Sequence, residues 1–244
     1  MRIDFCLPIK DEEIILAANV SELRSFLRDN FSGLDWRLVL LVNGSSDRSG
    51  EIAREFAARY PEKIISSELA EGGKGRALKA WFSSSPVDIL VFMDADLAAS
   101  LDCLPSLLAP IIAGRADVVV GSRLLPGSQT NRRYWRSLVS HAYNLISRLV
   151  LGHSFSDLQC GFKAFKAAAF NRIAPFCQDD KWFFDTEWLM ILRASGAKIE
   201  ELAISWRDDR QQNRPSQVKV ARDTWRFLVQ LFRLRRRLKH LRIN

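Results

Sequence analysis

Two carboxylates stand one residue apart at Asp94 and Asp96, directly after an apolar run that ends at Met93. The run begins at Val87, is interrupted only by Asp88, and has the length and composition of a buried parallel strand. Carboxylates at the carboxyl end of such a strand face the ligand crevice of an open α/β sheet. They can share a hard cation, Mg²⁺ or Mn²⁺, whose other positions go to water and phosphate oxygens. An acidic turn that only caps or solvates the strand end would give the same pattern.

Two earlier loops carry polar residues at the ends of predicted strands and should face the same crevice. The segment 8–13 follows the apolar run 3–7, and the segment 43–47 follows the run 38–42. Short polar side chains there can bind the edge of a base or a ribose, or they can cap the following helix. Capping is the simpler role for the aspartate of the second loop. The loop residues expected at a ligand are Pro8, Lys10, Asp11, Glu12, Asn43 and Asp47.

A third loop, Gly72-Gly73-Lys74-Gly75, opens a predicted helix. Free backbone N–H groups at a helix start, together with a lysine, can bind negative charge. The loop lacks the Gly-x4-Gly-Lys-Ser/Thr spacing of a Walker A motif. A flexible turn would explain it alone, but three such loops in one sheet favour a shared ligand site.

Apolar runs and helical periodicity alternate along the first half of the chain. Strands are predicted at 3–7, 38–42, 64–65, 87–93 and 117–121. Helices are predicted at 14–27, 49–60, 75–82 and 101–113, the last containing two prolines. Later segments predict helices at 134–151 and 181–195 and a half-buried strand at 198–206. The alternation predicts a single α/β domain with a mostly parallel central sheet and helices on both faces.

The order of these motifs resembles that of family 2 glycosyltransferases with the GT-A fold, a Rossmann-like architecture. The matching segments are the strand ending at Pro8, Gly44-Ser45-Ser46-Asp47, Gly73-Lys74-Gly75 and Asp94-Ala95-Asp96. The later segments that match are Gly121-Ser122-Arg123, Asp157-Leu158-Gln159-Cys160-Gly161-Phe162-Lys163 and Phe184-Asp185-Thr186-Glu187. These look like the acceptor half of polyprenyl-phosphate sugar synthases, the dolichyl-phosphate mannose and glucose synthase group. The resemblance covers roughly residues 3–220.

The resemblance implies an inverting transferase that moves a hexose from a UDP- or GDP-sugar to a dolichyl or undecaprenyl phosphate. It assigns Mg²⁺ or Mn²⁺ to Asp94 and Asp96, beside the donor's diphosphate. The acceptor phosphate is assigned to Arg123, Arg136 and Ser140. A phosphate monoester is anionic at neutral pH and can attack the anomeric carbon directly. Positioning and charge stabilisation therefore replace an obligatory general base.

Asp185 and Glu187 lie two residues apart at the start of a predicted helix, so one can face the crevice while the other caps. Either one is a candidate to orient a sugar hydroxyl or to act as a base. For Arg123, a position directly after a strand end favours phosphate binding over a solvated salt bridge.

The sequence departs from the family's pattern at three places. Val42 and Asn43 replace an Asp pair that many relatives carry. Ala98 replaces a glutamine that serves as an extra metal ligand in the mannose synthases. A Ser-Lys pair appears as Ser216-Gln217, and the nearby basic residues that could supply the missing charge at the diphosphate are Arg214 and Lys219. These differences predict weaker metal or diphosphate binding, or metal ligation completed by water.

The net charge of +8 is concentrated in one segment. Residues 219–244 contain nine Lys or Arg and one Asp, so the first 218 residues are neutral overall. Trp225, Leu228, Val229 and Phe232 share a helical face there, with leucines on an adjoining stripe and arginines between them, which predicts a basic amphipathic helix. It could bind an anionic membrane or pack on the protein with a solvated outer face. A lipid acceptor favours the membrane.

Length and composition limit the class of protein to which the chain can belong. The 244 residues, 48% hydrophobic and 26% charged, fit one sizeable globular domain. No apolar run reaches the roughly 18–20 residues of a spanning helix, and the start lacks a signal-peptide pattern. A cytoplasmic protein, peripheral on the cytoplasmic membrane face, is expected. Its four cysteines form no C-x-x-C pair and predict neither disulfide nor zinc.

The expected division is a GT-A domain over 1–217, with a nucleotide-sugar half (1–100) and an acceptor half (101–217), and a membrane-associating tail over 218–244. One alternative is a sugar-phosphate nucleotidyltransferase, but that class should carry its glycine-rich loop after the first strand, where this chain has Pro8-Ile9-Lys10-Asp11. Another is a noncatalytic basic adaptor. The neutral first 218 residues argue against nucleic acid as a partner.

Overall fold

The computed structural model describes residues 1–131, 134–207, 220–241 and 243, without the side chains of 134–136 and 220–225. Its helices are α1 (Glu13–Asn30), α2 (Ser49–Arg59), α3 (Lys74–Ser84), α4 (Leu104–Ile112), α5 (Tyr134–Leu151), α6 (Ala167–Ile173), α7 (Phe184–Ala194) and α8 (Val220–His240). Its strands are β1 (Arg2–Ile9), β2 (Asp35–Asn43), β3 (Ile64–Leu69), β4 (Ile89–Met93), β5 (Val118–Ser122), β6 (Gln129–Asn131), β7 (Phe162–Lys166), β8 (Ile199–Ala203) and β9 (Ser205–Arg207).

Seven strands form a central sheet in the order β3-β2-β1-β4-β7-β5-β8. The strands β3, β2, β1 and β4 are parallel, as are β5 and β8, whereas β7 runs antiparallel to both of its neighbours. The predicted single α/β domain with a mostly parallel sheet is therefore confirmed. Since the carboxyl ends of β1, β2, β3 and β4 lie at one edge, the loops that follow them surround one crevice.

Apolar side chains of the sheet divide between two core clusters, one on each face. In β1, Ile3, Phe5 and Leu7 join the cluster that includes α1 and α4, whereas Cys6 joins the cluster that includes α3, α6 and α7. All residues of β1 from Ile3 onward are buried, because helices cover both faces of a parallel sheet.

The strand β7 was not predicted, although it lies in the middle of the sheet. Its sequence, Phe-Lys-Ala-Phe-Lys, places a lysine at a core position, and a lysine there argues against a buried strand. Lys163 is nevertheless only 1% exposed. Its ammonium group is compensated by an ion pair with Asp185, described below, which allows the strand to be buried.

The single strand predicted over 198–206 is wrong, because the chain changes neighbours in the middle of it. β8 pairs with β5, whereas β9 pairs with β6 in a separate two-stranded sheet. The change occurs at Ile204, whose N–H donates to Ser122 O at 3.3 Å and whose carbonyl accepts from Gln129 N at 3.1 Å.

The helix predicted over 101–113 is divided as its prolines suggested. A short 3₁₀ turn (Leu101–Cys103) precedes α4, and Pro105 lies in the first turn of α4, where a missing N–H has no partner to lose. Pro110 lies inside the helix, which continues to Ile112.

The helix α8 packs on the domain with its leucine stripe. Leu231 and Leu234 are buried in the core cluster beneath α3, α6 and α7, and Leu238 packs against it. Arg237 donates to Glu187 Oε1 and to the carbonyl of Phe176, both at 2.5 Å. The prediction that this part of the tail binds a membrane is therefore not supported.

None of the helices among the described residues combines the length and apolarity required to cross a bilayer.

Candidate active site

The loops after β1 and β2 hold each other through hydrogen bonds between carboxylates and backbone N–H groups. Asp47 accepts from Glu13 N and from Ser49 N, both at 3.0 Å, and these are the first residues of α1 and α2. In the opposite direction, Glu13 Oε2 accepts from Arg48 N at 3.0 Å. Burial acts against the charge of Asp47, but these hydrogen bonds outweigh it and lower the pKa of its carboxyl group. Asp47 thus caps two helix starts, the simpler of the two roles that its sequence position predicted.

Asn43 is buried, and both ends of its amide are bonded within the fold. Its Nδ2 donates to the carbonyl of Ile9 at 2.8 Å, and its Oδ1 accepts from Gly73 N at 3.1 Å. The side chain therefore joins the ends of β1 and β2 to the start of α3. Gly44 follows with φ +62°, and a Cβ there would lie 2.5 Å from Gly72 N. The amide of Asn43 therefore positions these loops, and a direct contact of this residue with the nucleotide stays a prediction.

The half-exposed residues of the first loop remain at the crevice. Lys10 Nζ donates to Gly44 O at 2.6 Å, and its ammonium lies 3.8 Å from Asp11 Oδ2. Asp11 accepts from Ser46 N at 2.7 Å. Pro8 is buried in β1, where it pairs with Leu41 and fixes the strand end without presenting a polar group. Glu12 lies at the start of α1 and accepts from Leu16 N at 3.0 Å through its carbonyl.

Two backbone N–H groups at the start of α3, those of Gly75 and Arg76, are bonded within the fold, which limits the phosphate binding predicted there. Gly75 N donates to Lys181 O at 3.1 Å and Arg76 N donates to Asp180 O at 3.0 Å. A Cβ at Gly75 would lie 2.7 Å from Asp179 O, so the glycine allows this loop to approach. The segment before α7 therefore covers the helix start, and only the Lys74 side chain of this motif reaches the crevice.

Lys74 and Asp94 form an ion pair at the centre of the crevice edge. Lys74 Nζ lies 2.5 Å from Asp94 Oδ1, and the lysine side chain is only 10% exposed. Its ammonium lies 5.2 Å from the ring centroid of Phe92 and 5.7 Å from that of Phe184. Burial works against this charge, but the negative charges of Asp94 and Asp185 outweigh it and raise the pKa of Lys74. Lys74 is therefore a permanent cation at neutral pH.

Asp94 also touches the acceptor half of the chain. Its N–H donates to Gly161 O at 3.1 Å, and a Cβ at Gly161 would collide with the Asp94 carboxylate. Asp96 Oδ1 accepts from Ala98 N at 3.2 Å. The glycine of the 157–163 segment is thus required for the close approach of the two halves.

The two aspartates provide a donor set that suits Mg²⁺ or Mn²⁺. Over the described ranges, no group of three or more His, Cys, Asp or Glu side chains could surround one ion. A metal here would therefore take most of its ligands from water and from substrate phosphates, as Mg²⁺ commonly does. Ala98, where a third ligand was considered, is buried and contributes its N–H to Asp96.

Arg123 forms a buried ion pair with Asp157. Its Nε and Nη2 donate to the two carboxylate oxygens at 2.6 and 2.9 Å, and the guanidinium carbon lies 5.0 Å from the ring centroid of Trp206. Burial alone would raise the pKa of Asp157, but the attraction of Arg123 is stronger and lowers it. Two of the three guanidinium nitrogens are thus engaged by a carboxylate, which the sequence analysis did not foresee.

Asp185 and Glu187 have different surroundings, as their spacing indicated. Asp185 Oδ1 accepts from Lys163 Nζ at 2.5 Å, and both side chains are buried. Burial raises the pKa of Asp185, and the charges of Lys163 and Lys74 offset only part of this effect. Glu187 is 1% exposed and accepts from Gln178 N and from Arg237 Nη1. Glu187 therefore holds the segment before α7 and the helix α8, and a catalytic role for it stays a prediction.

Three residues that sequence reasoning did not assign are Asp157, Lys163 and Asp179. The first two lie in the 157–163 segment that carried the family resemblance, but their ionic partners are distant in sequence. Asp179 Oδ1 accepts from Phe183 N and Phe184 N, both at 3.1 Å, and so caps α7. In the sequence, this cap was indicated by an aspartate five residues before the start of α7.

Other predicted residues lie elsewhere. Arg214 and Lys219, together with Ser216 and Gln217, fall outside the described residues, as does the side chain of Arg136. Ser140 is half-buried on α5, and its carbonyl accepts from Asn144 Nδ2 at 2.9 Å.

Comparisons with known proteins agree on the family. The glycosyl transferase family 2 domain matches residues 4–174. The chain is 33% identical over 195 residues to glycosyltransferase AglD of Haloferax volcanii, covering 80% of this chain and 30% of AglD. It is 26% identical over 215 residues to dolichyl-phosphate beta-glucosyltransferase ALG5D of Trichomonas vaginalis, covering 84% of this chain and 66% of that protein. The chain thus spans under a third of one relative and about two thirds of the other.

A solved structure has the same fold. Glucosyl-3-phosphoglycerate synthase from Mycobacterium tuberculosis, crystallised with Mn²⁺ and UDP-glucose, superposes with a TM-score of 0.64 at 21% sequence identity, covering 94% of this chain and 78% of that one. Such neighbours are GT-A glycosyltransferases, which confirms the predicted fold. Because the family 2 domain matches more than two thirds of this chain, the chain belongs to glycosyl transferase family 2.

Proposed function

We propose that the protein is an inverting glycosyltransferase that moves a hexose from a UDP- or GDP-sugar to a polyprenyl phosphate, with Mg²⁺ or Mn²⁺, at the cytoplasmic face of a membrane. Family membership supports the reaction class. The dolichyl-phosphate acceptor in the name of ALG5D supports a lipid phosphate, and the Mn²⁺ and UDP-glucose of the structural neighbour support the donor side.

The observation that carries this proposal is the position of Asp94 between Lys74 and Gly161. Lys74 belongs to the nucleotide-sugar half, and Gly161 belongs to the segment that resembles the acceptor half. A carboxylate and a cation at the junction of the two predicted halves support a donor diphosphate and an acceptor that meet there. The chemistry of that junction is charge stabilisation.

In the proposed reaction an acceptor phosphate oxygen forms a bond to the anomeric carbon. The bond between that carbon and the diphosphate oxygen breaks on the opposite side, and the nucleoside diphosphate leaves with the electron pair. Lys74 stabilises the negative charge on the leaving diphosphate. A divalent metal bound at Asp94 and Asp96 would neutralise further diphosphate charge.

On the acceptor side, the proposal assigns the phosphate to Arg123, Arg136 and Ser140. Asp157 holds the plane of the Arg123 guanidinium, so the phosphate is assigned to Nη1, the nitrogen not engaged by that carboxylate. Asp185, which is held by Lys163, is assigned to a sugar hydroxyl. Arg214 and Lys219 are assigned to the diphosphate, and Lys10 and Asp11 to the nucleotide.

Donor binding is tested by thermal shift with UDP, GDP and their sugars, each with Mn²⁺ and with EDTA. The wild type should show a metal-dependent shift for one nucleotide, and Asp96→Asn should lose it. Asp88→Asn is the matched control, because Asp88 lies before the same strand at the opposite, exposed end. Equal shifts in both variants, or no shift in the wild type, would remove the donor assignment.

The acceptor is tested by radiolabelled sugar transfer to undecaprenyl phosphate and, separately, to phosphoglyceric acid. Transfer to the lipid alone is expected, and Arg123→Ala should abolish it while the donor-induced thermal shift remains. Transfer to the soluble acid alone would replace the lipid acceptor in the proposal. Loss of the donor shift in Arg123→Ala would contradict the assignment of this arginine to the acceptor.

A further inference from the structure

The helix α5 exposes apolar side chains along its outer surface. Leu138 is 59% exposed, Leu145 is 59% exposed and Leu149 is 75% exposed. Their spacing of seven and four residues places them on one side of the helix. Val139 and Ile146, 41% and 36% exposed, widen this stripe. We call these five side chains the α5 apolar face.

The inner surface of α5 carries apolar side chains that pack against the core cluster, and buried polar residues lie beside them. The apolar side chains are those of Tyr143, Val150 and Leu151. Asn144 Oδ1 accepts from Leu158 N at 3.3 Å, and Ser147 Oγ donates to Asn144 O at 2.9 Å. Ser147 also contacts His153 Nε2 at 3.0 Å. An ordinary surface helix carries its apolar stripe on the inner side and polar residues on the outer side. The α5 apolar face is therefore a second apolar surface of this helix, exposed among the described residues, and such a face is typical of a docking surface.

A band of positive charge on α8 lies beside this face. The two helices meet where the rings of Tyr143 and Phe227 pack with centroids 5.5 Å apart. Both helices contribute to the same core cluster, so their outer surfaces lie on the same side of the domain. The outer surface of α8 is basic, and the exposed cations among its described side chains are Arg226, Arg233, Arg235, Arg236 and Lys239. Phe232, 58% exposed, adds an aromatic ring to it.

We propose that the α5 apolar face and the basic outer surface of α8 together bind an anionic lipid surface. The apolar side chains enter the interfacial region of the bilayer, and the arginines and lysine meet lipid phosphates. A second copy of the chain fits less well, because it would bring the same positive charge against itself. The proposal moves membrane contact from the packed leucine stripe of α8 to exposed residues of α5.

The inference rests on the proposed function in one respect, the orientation of the acceptor. Ser140, assigned to the acceptor phosphate, lies on α5 itself, between Leu138 and Leu145 in sequence. The same helix contacts α7 beside Asp185, because Tyr143 Oη lies 2.6 Å from Thr186 Oγ1. The membrane contact can be measured without any substrate, so the two proposals fail separately.

The test is co-sedimentation with vesicles of phosphatidylcholine and phosphatidylglycerol, compared with phosphatidylcholine alone, at low and high salt. The wild type should bind the anionic vesicles, and high salt should weaken binding. The double variant Leu145→Ser/Leu149→Ser should bind the anionic vesicles at least about tenfold more weakly than the wild type does. Arg235→Gln/Arg236→Gln should lose the preference for anionic vesicles.

The matched control is Ile14→Ser/Ile112→Ser, which removes two exposed apolar side chains, 73% and 43% exposed, that lie on other helices. It should bind vesicles as the wild type does. Because all four apolar positions are exposed, each variant should keep the thermal midpoint and the donor-induced shift of the wild type. The thermal midpoint and the donor-induced shift therefore distinguish a variant that has lost the membrane contact from one that has unfolded.

Two results would overturn the proposal. One is equal vesicle binding by the wild type and Leu145→Ser/Leu149→Ser, or no binding by either. The other is a wild-type dimer in light scattering that this variant converts to a monomer, which would make the α5 apolar face a contact between copies. A wild type that binds vesicles but shows no donor shift would leave the lipid surface in place and remove the proposed function.

Discussion

The two sides of the crevice are built with different interactions. On the side formed by residues 1–100, which we propose binds the donor and call the nucleotide-sugar side, Asp47 and Asn43 join loops through hydrogen bonds to backbone groups. On the side formed by residues 101–217, which we propose binds the acceptor and call the acceptor side, the ion pairs Arg123–Asp157 and Lys163–Asp185 are buried within the domain. The hydrogen bonds of the nucleotide-sugar side fix the geometry of the loops. The ion pairs of the acceptor side fix charged groups at defined positions.

This difference determines what a mutation should cost on each side. A hydrogen bond from a side chain to a helix start contributes roughly 0.5–2 kcal/mol. Removing one partner of a buried ion pair leaves an uncompensated charge and costs about 3–5 kcal/mol. The acceptor side should therefore be the more sensitive one, although its ion pairs add little net stability when compared with apolar residues of the same size.

The largest effect is expected for Asp157→Ala, which leaves Arg123 buried without its carboxylate. The free energy of unfolding from urea titration should fall by about 3–5 kcal/mol. The double variant Arg123→Met/Asp157→Leu should recover most of this loss, because neither charge remains. Asp35→Ala, which breaks the exposed pair with Arg2, is the control and should leave the midpoint unchanged. A double variant as unstable as Asp157→Ala would contradict the role of the unpaired charge.

A second effect on the acceptor side depends on pH. Burial, with smaller contributions from Arg148 and Arg193, lowers the pKa of His153 from 6.5 to about 4. Between these values the unfolded chain binds more protons than the folded one, so stability falls as the pH falls from 6.5 toward 4. The loss attributable to His153 should reach up to about 3 kcal/mol.

The check is the thermal midpoint of the wild type and of His153→Gln between pH 7 and pH 5. The glutamine keeps a polar group near Ser147 but does not titrate, so its midpoint should fall less over this range. Parallel curves for the two proteins would show that other groups cause the acid sensitivity.

The fold of the nucleotide-sugar side was predictable because each of its elements has a continuous pattern. β1, β2 and β4 are apolar runs, and α1 and α2 follow with clear helical periodicity. The acceptor side was harder, because its signals depend on distant partners. Lys163 looks unsuitable for a central strand until Asp185, 22 residues later, lies beside it.

The candidate site shows the same limit. The position of Asp94 at a strand end followed from the run before it, and its approach to Gly161 did not, because that contact requires the antiparallel strand β7. The phosphate binding predicted for the N–H groups of α3 is limited for a similar reason. The segment that covers them comes about one hundred residues later and has no local signature.

The smallest effect, on the nucleotide-sugar side, separates capping from ligand binding at Asp47. Asp47→Ala removes acceptors for Glu13 N and Ser49 N and should lower the free energy of unfolding by about 1 kcal/mol at pH 7. Because the folded-state pKa of Asp47 is lowered, the wild-type advantage should disappear as the pH falls below its usual value of 3.8. Asp47→Asn, which keeps one carbonyl oxygen, should lose about half as much stability.

The donor-induced thermal shift decides between the two roles. If Asp47 only caps α1 and α2, both variants lower the starting midpoint and keep the full shift with nucleotide and Mn²⁺. If the carboxylate binds the nucleotide, the shift shrinks while the starting midpoint changes little. The first outcome would mean that nucleotide recognition on this side depends on Lys10, Asp11 and the loop backbone, which Asp47 and Asn43 hold in place.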